Sequence, residues 1–210
     1  MFKVTRMFLA VLIAAGVTAW TGPASAATGQ TSHYKLYGAS AIAIWQHGNT
    51  ITFMDGESDN QFGTDVSYDS FTPHFGAHGN FTGGVDVSGD AFGSHASITV
   101  GKLLGSAQVT ATIRVRRCIV KPNGSNGTCG APTRITIDLT FTGYGPTAHG
   151  GSNDRFHAPG VTITDHQVGT QRLATATGTI GGQTMLARDL QVGEIGQLKG
   201  GGLYLCHGCI

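Results

Sequence analysis

Polar and apolar residues alternate most clearly between Ser106 and Gly143. Val109, Ala111, Ile113 and Val115 take every second position of one run, and Ile135, Ile137, Leu139 and Phe141 do the same in another. A period of two is that of a strand with one face buried. The intervening 121–128 carries two Asn-Gly pairs, Asn123-Gly124 and Asn126-Gly127, which supply the positive φ of tight turns, so the unit reads as a β-hairpin. Shorter strands are expected over 33–37, 39–46, 50–55, 96–104, 161–166, 172–180 and 203–205. Gly, Asn and Asp clusters separate them at intervals of roughly eight to twelve residues, the spacing of sandwiches and barrels. The expected fold is all-β: an antiparallel β-sandwich of about 8–11 strands, with a closed β-barrel as the second choice.

The pattern fades in three places. From 56 to 93 no long apolar face is visible, and Phe62, Tyr68, Phe71, Phe75, Phe81 and Phe92 are expected to anchor short strands and loops onto the core. The segment 143–160 reads as a long irregular loop, the kind of segment that often carries function. Over 185–190 the residues Met-Leu-Ala-Arg-Asp-Leu suit a short helix.

Lys3 and Arg6 precede an apolar run, and Pro23-Ala24-Ser25-Ala26 ends it in a small-residue cleavage pattern. Residues 1–26 therefore read as a secretory signal peptide and 27–210 as one all-β domain, secreted and extracellular. No later apolar run approaches the roughly 18 residues of a membrane-spanning helix, so no membrane insertion is expected. Removing the leader takes two positive charges, and the formal net charge moves from +1 to −1. A near-neutral chain has no general attraction to nucleic acid, which is not expected as a partner.

Four cysteines in an exported chain imply two disulfides, and closeness in sequence favours Cys118–Cys129 and Cys206–Cys209 over crossed pairs. If Cys118 faces Cys129 directly, the apolar positions of one strand fall opposite the polar positions of the other. One extra residue resolves the conflict, and the break in alternation at Arg116-Arg117 is where a β-bulge is expected, setting Val109 opposite Ile137 and Ala111 opposite Ile135. The ending Cys206-His207-Gly208-Cys209 is followed only by Ile210, which leaves no helix to activate a redox thiol.

Charge is segregated along the chain. Between Leu36 and Gly101 there is no Lys or Arg, whereas Arg114, Arg116, Arg117, Lys121 and Arg134 cluster on the hairpin. Asp55, Glu57 and Asp59 form an oxygen-rich group suited in kind to Ca²⁺, the one cofactor suggested. They lack the glycine and glutamate spacing of an EF-hand. His74, His78, His149, His157 and His166 are scattered metal-ligand types. Ser152, His149, Asp154 and His157 would supply a nucleophile, bases and an orienting group within one loop, but nothing marks an oxyanion hole. Asn80, Asn123 and Asn126 begin glycosylation sequons. With no marked catalytic constellation, the leading expectation is a secreted binding or surface-interaction module. It would contact a carbohydrate or protein ligand through 56–93 and 143–160. A secreted hydrolase or metal-dependent enzyme of extracellular polymers, and a structural exported protein without small ligand, are the alternatives.

Overall fold

The computed structural model describes residues 30–158 and 161–206, so the expected leader lies outside the described residues. These residues form β1 (Gln30–His47), β2 (Thr50–Asp59), β3 (Gly63–Phe75), β4 (Phe81–Phe92), β5 (Ala96–Val100), β6 (Ser106–Val120), β7 (Asn126–Cys129), β8 (Thr133–Ala158), β9 (Val161–Ile180), β10 (Gln183–Met185) and β11 (Leu190–Cys206). Every strand pairing is antiparallel, as expected for the all-β class. The ladder runs β9, β11, β1, β2, β3, β4, β6, and β8 then pairs with both β6 and β9. It thereby returns to its starting strand as a ring of eight strands, to which β5, β7 and β10 are attached.

Alternation decides what faces the interior. Ala41, Ala43 and Trp45 of β1 point inward with Met54 of β2, Val66 of β3 and Ala91 of β4. The hairpin runs supply Val109, Ala111, Ile113 and Val115 against Ile137, Leu139 and Phe141, and β9 and β11 add Ala174, Ala176, Ile180 and Ile195. Trp45 and Phe141 are fully buried, each contributing roughly 1.5–3 kcal/mol. Strand β5 hydrogen-bonds to β6 and also touches β1, β2 and β3, bringing Ile98 over Gly56.

The weakly patterned segments are strands. Residues 56–93 lie mainly in β2, β3 and β4, where glycine faces a larger inward residue: Gly56 opposite Val66, and Gly89 opposite Tyr68. Of the six aromatics there, Tyr68 packs against the core, while Phe62, Phe75 and Phe92 are more than half exposed. Phe81 instead stacks with Phe71 and Phe75, with ring centroids 6.3 Å apart in each pair. The expected loop 143–160 is mostly the second half of β8. It is interrupted only where the β9 register shifts between Gly143 and Thr147. The expected helix reduces to β10 and one 3-10 turn at Ala187–Asp189.

Cys118 and Cys129 form the expected disulfide and face one another directly. The extra residue exists, but in the other strand. Between the pairs Val115–Thr133 and Cys118–Cys129, β6 spends Arg116 and Arg117, whereas its partner spends Gly130, Ala131 and Pro132. Proline has no N–H to give a ladder, so the interruption falls beside Pro132 and β6 stays continuous. The apolar register is correspondingly Val109 opposite Leu139 and Ala111 opposite Ile137. Cys206 ends β11, its side chain is not described, and Cys209 lies outside the described residues.

The short loop closed by the bridge sets its worth at roughly 2–3 kcal/mol. The double variant Cys118→Ala, Cys129→Ala should lose about that much unfolding free energy in a denaturant titration. An unchanged midpoint would show that the hairpin tip contributes nothing to global stability.

Candidate functional site

Two surfaces gather chemistry-bearing side chains. The first is the outer face of β2, β3, β4 and β6. Register places Asp55, Ser67, Asp90 and Arg114 in one row, and Phe53, Asp69, Ser88 and Arg116 in the next. The segregation seen along the chain thus becomes an acidic stripe on β2 to β4 bordered by arginines on β6. An open groove of about 800 Å³ crosses it beside the disulfide. Among the described residues no ion pair joins the two stripes; the ion pairs present link Asp189 to His47 and Arg188.

Crowding marks the acidic stripe. Burial, then the charges of Glu57 and Asp65, push the Asp55 carboxyl up to about 6. Burial is also the leading cause of upward shifts at Glu57, Asp65 and Asp69, and at Glu194 on β11. One oxygen each of Asp55 and Asp65 is buried without a hydrogen-bond partner. Asp55, Glu57 and Asp59, the expected Ca²⁺ ligands, occupy alternate positions of β2 rather than a loop. The Asp59 carboxylate is committed to its own turn, accepting from the backbone N–H of Gln61 at 2.7 Å and of Phe62 at 2.6 Å. Among the described residues no group of three or more metal-ligand types is close enough to hold an ion.

The second surface lies where four strands outrun the ring. The second half of β8, the first half of β9, the second half of β11 and the first half of β1 pair in that order as an extension of the sheet. Its neck is tied by Arg172, whose Nε donates to the carbonyl of Gly145 at 3.1 Å and whose Nη1 donates to that of Leu103 at 3.3 Å. Gly143 is required there, since a Cβ would lie 2.1 Å from the Leu104 carbonyl oxygen.

The two faces of the extension differ in chemistry. On one, the Tyr34 hydroxyl reaches across β11 to donate to Asp165 Oδ1 at 3.0 Å, and Gln167 donates to the other oxygen. The crossing needs Gly202, because a Cβ there would stand 2.6 Å from the Tyr34 hydroxyl. Burial, then the hydrogen bond and charge of Asp165, push the Tyr34 hydroxyl up to about 12. On the opposite face lies a concave groove of about 580 Å³. Two rows define it: Lys35, Gly201, His166 and Asn153, then His33, Leu203, Thr164 and Arg155. Gly201 carries no side chain into the groove, and a Cβ there would stand 2.6 Å from the Tyr34 carbonyl oxygen. His166 pairs with Asn153 through a hydrogen bond, while Lys35, Arg155 and Thr164 make no side-chain hydrogen bond or ion pair among the described residues.

Register also settles the drawn hydrolase set. His149 and His157 lie eight residues apart on one extended strand, about 26 Å. The Ser152 hydroxyl is buried without a partner. Its row, with Gln167 and Gly200, alternates with the rows of the groove. Asp154 pairs with Asp165 in the ladder, and its side chain is not described. These residues do not assemble into a nucleophile, base and orienting group. Of the five histidines, His149, His157 and His166 share the groove face with His33, whereas His74 is on β3 and His78 in a turn. Asn153 and Arg155 belong to the expected contact segment 143–160, whereas Lys35, Thr164 and Gly201 lie outside both expected segments. Only the pairing of distant strands brings them together.

Compared with protein-family models, curated proteins and solved structures, the chain matches none of them.

The crowded carboxylates set a pH dependence. Because folding raises the Asp55 pKa from 3.8 to about 6, the folded state holds a proton that the unfolded chain has released. Its contribution to stability therefore falls as pH rises from about 4 through 6. Glu57, Asp65, Asp69 and Glu194 act in the same direction. The isosteric Asp55→Asn should stabilise the protein at pH 7.5 by on the order of 2 kcal/mol and lose that advantage below about pH 4, read by thermal or denaturant unfolding. An equal effect at both pH values would show that the carboxylate is not strained by its surroundings.

Proposed function

We propose that the chain is a secreted, non-catalytic binding module whose contact face is the concave groove on the four-strand extension. The observation that carries this reading is the groove itself. It is a cleft of about 580 Å³, and the side-chain polar groups of Lys35, Arg155 and Thr164 on its rim are not used up within the fold. Its volume falls in the range of small-ligand clefts, roughly 300–1,000 Å³. The supporting strands are hydrogen-bonded along their length, so the polar groups are held on a rigid frame rather than on loops. Of the two segments expected to form the contact face, 143–160 supplies Asn153 and Arg155, while 56–93 lines the separate acidic groove.

Filling the cleft tests the reading. Thr164→Phe places a ring on the groove floor between Leu203 and Arg155 without touching the core. On a glycan array, supplemented by peptide pull-down, wild-type binding should fall at least about tenfold in this variant while its circular dichroism stays unchanged. Retained binding by the folded variant would place the contact face elsewhere.

A further inference from the structure

The charges on the groove face go beyond the existence of a cleft. Lys35, Arg155 and Lys199 project from this face, and all three are exposed. His33 and His166 line the groove, and His149 lies further along the same face. Among the described residues no carboxylate shares it. Asp165 borders the groove from the row between those of His33 and Lys35, with its carboxylate held to the other side by Tyr34 and Gln167. A chain with near-equal numbers of acids and bases has thus gathered three fixed cations on one face and set its acidic stripe on the outer face of β2 to β4.

The cations are spread across the face, with Arg155 and Lys35 on its two border strands and Lys199 on β11. Arg155, Lys35 and Lys199 stand on successive same-face rows, the rows of Thr164, His166 and Val168 on β9. Same-face rows are about 7 Å apart. Cations separated by rows and strands suit a ligand with several negative groups better than one compact anion. Between the cations lie groups suited to a sugar ring. Asn153 and Thr164 offer hydrogen bonds to hydroxyls, Gly201 projects no side chain, and Leu203 gives an apolar patch. On the next row, Tyr37 is 52% exposed and presents an aromatic face. Single-stranded nucleic acid would call for a succession of stacking aromatics, and a membrane surface for a set of apolar anchors; this face provides one aromatic ring and few apolar groups.

We propose that the groove binds an acidic oligosaccharide, with Lys35, Arg155 and Lys199 holding its carboxylate or sulfate groups and Gly201, Leu203 and Tyr37 receiving its rings. The inference rests on the groove being the contact face.

The test is calorimetric titration of the protein with oligogalacturonate and a heparin-derived hexasaccharide. Neutral cellohexaose, a single-stranded DNA oligomer and phosphatidylserine vesicles serve as comparison probes. The acidic oligosaccharides should bind, the neutral one should not, and affinity should fall as salt rises. Lys35→Gln, Arg155→Gln and Lys199→Gln together should weaken binding by at least about tenfold, since charge-assisted contacts of this kind are typically worth that much each. Arg114→Gln with Arg116→Gln, on the other groove, should leave it unchanged. If acidic and neutral oligosaccharides bind alike and Thr164→Phe abolishes both, the groove stands as the contact face and the anionic class is overturned. Loss of binding in the Arg114, Arg116 variant overturns both. Tighter binding to the DNA or the vesicles, or no binding to either acidic oligosaccharide, overturns the oligosaccharide assignment.

Discussion

Phe141 sits where three strands meet, opposite Ala107 of β6 on one side and Ala176 of β9 on the other. The large ring between two small residues lets β8 close against both neighbours without a void or a clash. Without that double pairing, β6 and β9 would each present unpaired backbone groups, and the inward row would open to water. The ring fixes more than its own interior. After Gly143, β8 leaves β6 but keeps β9, so the extension continues a strand pair already locked in register by the core. The Arg172 hydrogen bonds at the neck secure the point of departure.

From this closure follows a division of labour between faces. Inside the ring, alternation selects Val, Ile, Leu, Phe and small residues. Outside it, the same alternation exposes whatever the intervening positions carry: carboxylates on β2 to β4, arginines on β6. Beyond the ring polar residues occupy both sides of the sheet, and the side opposite the groove also buries Leu36. Crowded acids on one surface raise their own pKa values by burial and mutual repulsion, while the cations of the groove are spread along rows of the extension. The two electrostatic environments arise from one continuous sheet.

Where an apolar face exists, the sequence made it visible. The hairpin strands, the disulfide at their tip and the all-β antiparallel class follow from a period of two and from turn residues. The extension was legible only in part: strands over 33–37, 161–166 and 203–205 were expected, but the strand through 143–158 and the link across 200–202 were not, for a physical reason. Gly150, Gly151, Ser152, Asn153 and the glycines 200–202 carry little strand propensity and no one-sided pattern, because backbone pairing rather than burial defines those strands. Tyr34 crossing Gly202 to reach Asp165, 131 residues away in sequence, leaves no local signature. The side of the strand pair carrying the bulge was missed for a related reason. The exposed pair Arg116-Arg117 breaks the pattern because β6 runs past the core, whereas the extra residue belongs to the proline-bearing partner. The groove residues come from β1, β8, β9 and β11, and no spacing within the chain relates them.

The extension also has borders. The Asn60 side chain closes part of one of them, accepting from the Tyr37 N–H at 2.7 Å and donating to the Lys35 carbonyl at 2.8 Å, in the place of a missing neighbouring strand. Further along β1, and along β8 from Thr147 to Ala158, the described residues show no partner on the outer side. Bare strand borders invite another copy of the chain to add itself, and long charged side chains at the border are a common deterrent. Lys35 stands on one border strand and Arg155 on the other. Charged side chains at both open borders are of the kind that deters copies of a chain from adding strand to strand.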